Sequence, residues 1–475
     1  MSEAARKRSA DARGRSGKAQ AQTDPARRVA LDLLLAVSER DAYANLLLPE
    51  LLTQRRLTGR DAALATELSY GTLRGRGTYD AILALCSDRP LASLDPAVRE
   101  VLRLGTHQLL ATRIQSHAAV ATSVSLVKRG SGQRAAGYVN AVLRRIATRE
   151  LTAWLAVAAP DRIDDPVGHL TVRYSHPRWI VEALAAALGE TATGGLVRTE
   201  AMLAADNERP AVHVCAVPGL ADVSELVAAG CRPARWSPFG GYLADGDPGA
   251  IDAVAAGRAG VQDEASQLAA LAVARAGLPG SDKLWLDLCA GPGGKARLLA
   301  GLAAASGARL LANELREHRA RLVRSATAVT GSASVVVADG AAPAWLRGVF
   351  DRVIVDVPCS GLGALRRRPE ARWRRGPSDI DALGPLQRRL LATALDAARP
   401  GGVVGYVTCS PHLAETRSVV GDVLAARGDA EVMDAPAALA EVPDLRCAGT
   451  ASRFAQFWPD RHGTDAIFLA LLRRR

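Results

Sequence analysis

The sequence predicts a multidomain chain: an all-helical body, a small α+β connecting module, and a doubly wound α/β domain at the C-terminal end. Three observations predict it. Apolar residues recur at three- and four-residue steps from Pro25 to about Arg149. Short strand-like and helix-like pieces mix over residues 151–260. From about Asp282 onward, Val- and Ile-rich runs alternate with helical segments, the pattern of βαβ units around a parallel sheet.

The elements follow in order. Residues 1–24 are polar, small and basic (Arg6, Lys7, Arg8, Arg13, Arg15, Lys18) and read as a disordered tail without the apolar stretch of a signal peptide. Over 25–150, "ARRVALDLLLAVSE", "GRDAALATELSYGTLRG" and "LDPAVREVLRLGTHQLL" give a helical bundle. Asp24-Pro25 and Asp95-Pro96 supply a capping side chain followed by proline at the first helical position. Gly71, Gly75 and Gly77 are expected to break one helical run. In the module 151–260, "RPAVHVCAV" (209–217) reads as a strand and "GLADVSELVAAG" (219–230) as a helix. The domain 261–475 then offers strands at "KLWLDLCA" (283–290), "ARLLANEL" (308–315), "ASVVVAD" (333–339), "DRVIVDVP" (351–358) and "GGVVGYVTCS" (401–410), with helices after them.

Composition narrows the function classes. The chain of 475 residues carries 48% hydrophobic and 23% charged residues, which excludes wholesale disorder. No apolar run is long enough for a transmembrane helix, so no membrane partner is expected. The seven cysteines form no CxxC pair, which speaks against a disulfide framework or a structural zinc site and fits a reducing cytoplasm; no metal is expected. A net charge of +11 suits a polyanionic partner.

The loop "LDLCAGPGGKA" joins a buried strand to a helix through closely spaced glycines. It lacks both the dinucleotide fingerprint and the P-loop pattern, so it cradles no phosphate. Glu314 ends the next strand, where a carboxylate can take ribose hydroxyls, and Asp339 ends the third, within reach of an adenine edge. Asp287 is placed to orient the loop or a cofactor amino group. A nucleoside cofactor without a phosphate site points to S-adenosylmethionine (SAM).

Cys359 and Cys409 each end a parallel strand, where open α/β sheets keep their chemistry. A lone cysteine is usually a small buried hydrophobe. Two at matching positions suit a thiolate adding to C6 of a pyrimidine, which makes C5 electron-rich enough to take a methyl group. Asp356 is placed to hydrogen-bond the base at N3. The following "RRRPEARWRR" carries a net +5 in ten residues around Trp373. Its Arg366, Arg367, Arg368, Arg372, Arg374 and Arg375 are expected to supply RNA contacts, two or three of them touching the backbone.

The motifs "DLCAGPGGK", "DVPCSGLG" and "YVTCSPHLAET" resemble those of the RsmB/Fmu (Sun) family of ribosomal RNA (cytosine-5)-methyltransferases. "NERP" (207–210), "VQDEASQLAA" (261–270) and "HGTDAIFLALLRR" (462–474) extend the resemblance, and the helical part resembles the NusB-like RNA-binding domain. The resemblance implies a Rossmann-like SAM-dependent catalytic domain (EC 2.1.1 class) making 5-methylcytosine, with small-subunit (16S) ribosomal RNA as substrate, and a chain acting as a monomer. It implies Cys409 as the attacking nucleophile and Cys359 as the releasing residue. It also implies a cofactor site of Cys289, Ala290, Gly291, Pro292, Gly293, Gly294, Lys295, Glu314, Asp339 and Asp356. Gly291 stands where the family usually has Ala, a change expected to be neutral. Glu314 stands where Asp is commoner, so its longer arm must retract. The alternatives are the same chemistry on transfer RNA, or a non-catalytic NusB-like antitermination factor; the two intact cysteine motifs argue against the second.

Overall fold

The computed structural model describes residues 24–342, 345–449 and 452–475, without the side chains of 129–131. The basic tail expected over 1–24 lies outside them but for Asp24. The chain divides into two compact units between Ser175 and His176.

Every described element of the first unit is helical. The Asp24 carboxylate accepts the Ala26 and Arg27 amides to cap Pro25–Arg40, and Asp95 caps Pro96–Ala111 in the same way. The apolar faces meet in one core that includes Leu33, Leu34, Leu68, Leu83, Leu102 and Leu143. Gly71, Gly75 and Gly77 do not break their helix, which runs unbroken from Gly59 to Cys86. Close packing explains two of them. A Cβ on Gly71 would lie 2.2 Å from the His107 ring, and one on Gly75 would lie 2.3 Å from the Tyr79 ring. Tyr79 and His107 are themselves hydrogen-bonded at 2.9 Å, and burial lowers the His107 pKa to about 4. These glycines make room for a buried aromatic pair, a reason invisible in a one-dimensional pattern.

Residues 151–260, expected as one module, are shared between the units. Helices Leu151–Ala158 and Pro166–Tyr174 belong to the first. Trp154 joins its core and donates from Nε1 to the Ile146 carbonyl at 2.9 Å. Strands β1 (Val212–Ala216), β2 (Cys231–Pro233), β3 (Gly240–Leu243) and β4 (Ala259–Val261) form an antiparallel sheet in the second unit, ordered β2-β3-β1-β4.

The main sheet contains β5 (Leu284–Asp287), β6 (Arg309–Asn313), β7 (Ala333–Val336), β8 (Phe350–Asp356), β9 (Ala398–Thr408), β10 (Ala430–Met433), β11 (Ala455–Gln456) and β12 (Phe468–Arg474). Its order is β10-β12-β9-β8-β5-β6-β7, with β11 beside β12. The strands β5 to β9 run parallel, and β12 enters antiparallel to β9. Val353, Val355, Val404 and Val407 are fully buried because layers cover both faces, which is why these strands read as continuous apolar runs. The chain builds outward from β5 through β6 to β7, then returns to place β8 on β5's other side. That reversal opens a crevice beyond the carboxyl ends of β5 and β8, where ligands of such sheets bind.

Candidate active site

The crevice is built from the loops after β5, β8 and β9. Register pairs Asp356 with Val407, so the segments following β8 and β9 leave the sheet side by side. Cys359 and Cys409 thereby come within 3.2 Å, sulfur to sulfur, and both are half-buried. The Cys359 hydrogen bond, burial and the negative charge of Asp356 push the Cys409 thiol well above its usual range, opposed by Lys295.

Two features fix this geometry. Glu415, fully buried, accepts the Ser360 amide at 2.7 Å, the Ser360 hydroxyl, and Gln387 Nε2 at 3.1 Å. Ser360 in turn reaches Ser410 at 3.1 Å, so the residues following the two cysteines are tied together. Gly363 donates its amide to the Cys409 carbonyl at 2.8 Å and accepts from the Ala466 amide at 2.8 Å. A Cβ at 363 would lie 1.9 Å from the Ala466 oxygen, so only glycine fits there.

Lys295, in the first turn of helix Gly294–Ala305, reaches Asp356 Oδ2 at 2.8 Å and links the β5 side of the crevice to the β8 side. Burial works against its charge, yet the Asp356 carboxylate raises its pKa on balance. Asp287 is buried at the end of β5, and neither of its oxygens finds a hydrogen bond of ordinary geometry. Burial and the Asp356 charge push its pKa up to about 7. Glu314 follows β6 and is 5% exposed, accepting the Gly291 amide at 3.1 Å and the Arg316 amide at 3.0 Å. Burial pushes the Cys289 thiol up. Asp339 lies beyond β7, exposed, with its carboxylate accepting the Ala341 amide at 2.9 Å.

Residues 276–473 match the family model described as 16S rRNA methyltransferase RsmB/F, and 24–148 match the NusB family. A protein of Mycobacterium tuberculosis (strain H37Rv), carrying a provisional methyltransferase name, is 50% identical over 95% of this chain and 97% of its own length. The ribosomal RNA small subunit methyltransferase B of Pseudomonas putida is 34% identical over 84% of this chain and 89% of its own. The chain belongs to the RsmB/F methyltransferase family. As an RsmB/F member it is a SAM-dependent RNA methyltransferase. The crystal structure of PH0851 shares the fold, with a TM-score of 0.75 at 21% identity, covering 95% of this chain and 99% of that one.

In this RsmB/F chain part of the arginine-rich segment pairs with acidic residues, as the expectation of only two or three RNA contacts allows. Arg366 is buried, bonded to Asp465 at 2.8 Å, Asp263 at 3.1 Å and the Gly463 carbonyl at 2.9 Å. Arg367 reaches the same two carboxylates, at 2.9 and 2.7 Å. Arg372 is fully buried and donates to Asn207 Oδ1 at 2.8 Å and to the Asp206 carbonyl at 2.9 Å. These three are internal struts, because buried carboxylates and carbonyls need charged donors. Of the others, Arg368 is exposed, Arg374 and Arg375 are half-buried like Arg367, and Arg375 lies 3.6 Å from Asp379.

Sequence reasoning missed Glu415, Gln387, Asp263 and Asp465. A signal existed for three: each acid stands inside a segment that carries the family resemblance, "YVTCSPHLAET", "VQDEASQLAA" or "HGTDAIFLALLRR". Gln387 lies mid-helix in Pro377–Ala397 and gave none.

Proposed function

We propose that this chain methylates C5 of a cytosine in small-subunit (16S) ribosomal RNA through a transient bond between a cysteine sulfur and C6. The observation that carries the reading is the pair of facing thiols, 3.2 Å apart, beside the Lys295–Asp356 pair. One buried thiol suits packing; two facing thiols suit a reaction in which one sulfur bonds the base and the other group lets it go. Chemistry that needs both thiols free belongs to a reducing compartment, the cytoplasm.

Cys409 is the nucleophile in this reading. It rests as a thiol, and as its sulfur bonds C6 its proton passes to N3 of the base, a transfer the Lys295 charge favours. Asp356, held in place by Lys295, accepts from the protonated N3 of the base and stabilises the adduct. Cys359 takes the proton from C5, after which the bond between Cys409 and C6 breaks by elimination. Glu415 and Ser360 act on neither base nor cofactor; they hold the two loops in register.

SAM supplies an electrophilic methyl group on a sulfonium. The residues present fit such a group. Asp287 offers buried oxygens that lack a hydrogen bond of ordinary geometry, an environment suited to an amino-bearing ligand. The loop from Cys289 to Lys295 leaves room for close approach, Glu314 takes the ribose hydroxyls, and Asp339 serves the adenine edge. Arg368, Arg374 and Arg375 supply the RNA backbone contacts. Ribosomal over transfer RNA is favoured by the name of the Pseudomonas putida relative and by the description of the matching family model.

Two variants test the chemistry. Cys409→Ala should abolish methylation and any covalent RNA adduct. Cys359→Ala should permit attack and block release, so a denaturation-resistant protein–RNA complex accumulates. An adduct that persists in Cys409→Ala and vanishes in Cys359→Ala would reverse the roles. Bisulfite mapping of RNA from cells with and without the gene tests the substrate: a cytosine lost only from transfer RNA would sink the ribosomal assignment.

A further inference from the structure

Gly291 sits directly against the carboxylate of Glu314. A Cβ built at 291 would lie 2.1 Å from Glu314 Oε2, 2.9 Å from its Cδ and 3.0 Å from Arg319 Nε. Backbone conformation does not demand glycine here, since Gly291 is absent from the positions with left-handed φ, unlike Gly293 at 115°. Space alone demands it. The space is used: the Gly291 amide donates to Glu314 Oε2 at 3.1 Å, and Arg319 closes over both, donating to the Gly291 carbonyl and lying 3.7 Å from Glu314 Oε2.

We infer that Gly291 and Glu314 form one coupled unit, in which Gly291 is the positioning residue that lets the longer carboxylate reach its place in the cofactor site. Substitution at 291 is therefore not neutral, contrary to the expectation from sequence. The side-chain ends met by an added methyl group are free to move, so the fold tolerates it. What moves is the Glu314 carboxylate, and it moves out of its bond to the 291 amide. Shortening residue 314 by one methylene withdraws the carboxylate by up to about 1.5 Å, enough to relieve the clash. Alanine at 291 and aspartate at 314 are therefore compatible with each other, whereas alanine beside glutamate is not. The inference rests on the reading of Glu314 as a SAM ligand.

The test is a calorimetric titration of SAM into the full chain and its variants, with melting temperature as the check on folding. Gly291→Ala should weaken SAM about tenfold, the scale of a disturbed hydrogen bond to a charged group, without lowering the melting temperature. Glu314→Asp should weaken it comparably. Gly291→Ala/Glu314→Asp should bind no more weakly than Glu314→Asp alone, a non-additive result. The native chain should also prefer S-adenosylhomocysteine over its 2′,3′-dideoxy analogue, and Gly291→Ala should erase that preference. Native affinity in Gly291→Ala, or penalties that simply add, would overturn the coupling. The double variant carries the same methyl group, so if alanine damaged the loop itself the double would bind more weakly than Glu314→Asp alone, which also overturns it. Glu314→Ala separates the two ideas: if it binds SAM as the native chain does, the cofactor reading of Glu314 falls, and the coupling's effect on binding falls with it.

Discussion

At the scale of single residues, the crevice is set by charges that cannot all be satisfied at once. Asp356 stabilises Lys295, raises the pKa of Asp287 and opposes ionisation of Cys409. The Lys295 charge favours the Cys409 thiolate. A thiol pushed above its usual range is mostly protonated at neutral pH, and its thiolate fraction grows with each unit of rising pH. Methylation at saturating cofactor and RNA should therefore climb through pH 6.5–8.5 without reaching a plateau. Lys295→Met should be slower by about the same factor throughout that range, because it removes the charge that lowers the Cys409 pKa while the thiol stays mostly protonated in both chains. Initial rates measured across that range check both statements. A plateau near pH 7 in the native chain would mean that Cys409 is already a thiolate at rest.

At the scale of elements, the segment 366–375 shows how a charge run misleads. Counting six arginines suggests a solvated cationic surface. The fold instead sends Arg366 and Arg367 to Asp263 and Asp465, and Arg372 to the Asp206–Asn207 turn. These ties reach from the Cys359 loop to the start of helix Glu264–Arg275 and to the residues preceding β12. Asp263 is held well below the usual carboxylate range: burial opposes this, but His213 and the two arginines outweigh it. Removing one partner of such a buried network leaves charge unpaired, at a cost of about 3–5 kcal/mol. Arg366→Ala should lose stability on that scale in urea denaturation. An Arg375→Ala variant should fold as the native chain does and flatten the salt dependence of RNA binding by roughly 0.7 log unit. Native stability in Arg366→Ala would show that the ion pairs contribute nothing net.

At the scale of the whole molecule, each unit has an apolar core of its own. One core lies wholly within the helical unit, and the cores that sandwich the main sheet lie wholly within the second. Separate cores favour separate unfolding transitions, since a single all-or-none transition is the property of one cooperative domain. Scanning calorimetry should therefore resolve two transitions. SAM at a hundredfold excess over its dissociation constant should stabilise only the catalytic one, by about 2.7 kcal/mol. A single transition shifted as a whole by SAM would show that the units unfold together.

Periodicity and spacing by themselves determined the helical first unit, the five parallel strands and the loops that carry Cys359, Cys409 and Gly291–Lys295. These are local properties: a strand buried on both faces must be apolar throughout, and a βα turn needs its glycines wherever it sits in a fold. The tertiary structure alone decided the rest, because it depends on residues far apart in sequence. Gly71 keeps its helix because His107 packs on it, 36 residues away. Glu415 clamps Ser360 across 55 residues, and Arg366 finds Asp263 across 103. The C-terminal strands β10 and β12 joined the sheet without a pattern that marked them. Gly291 looked interchangeable with alanine in sequence. The coupling proposed above sets the two apart through the 2.1 Å approach to Glu314, because excluded volume is a property of neighbours in space.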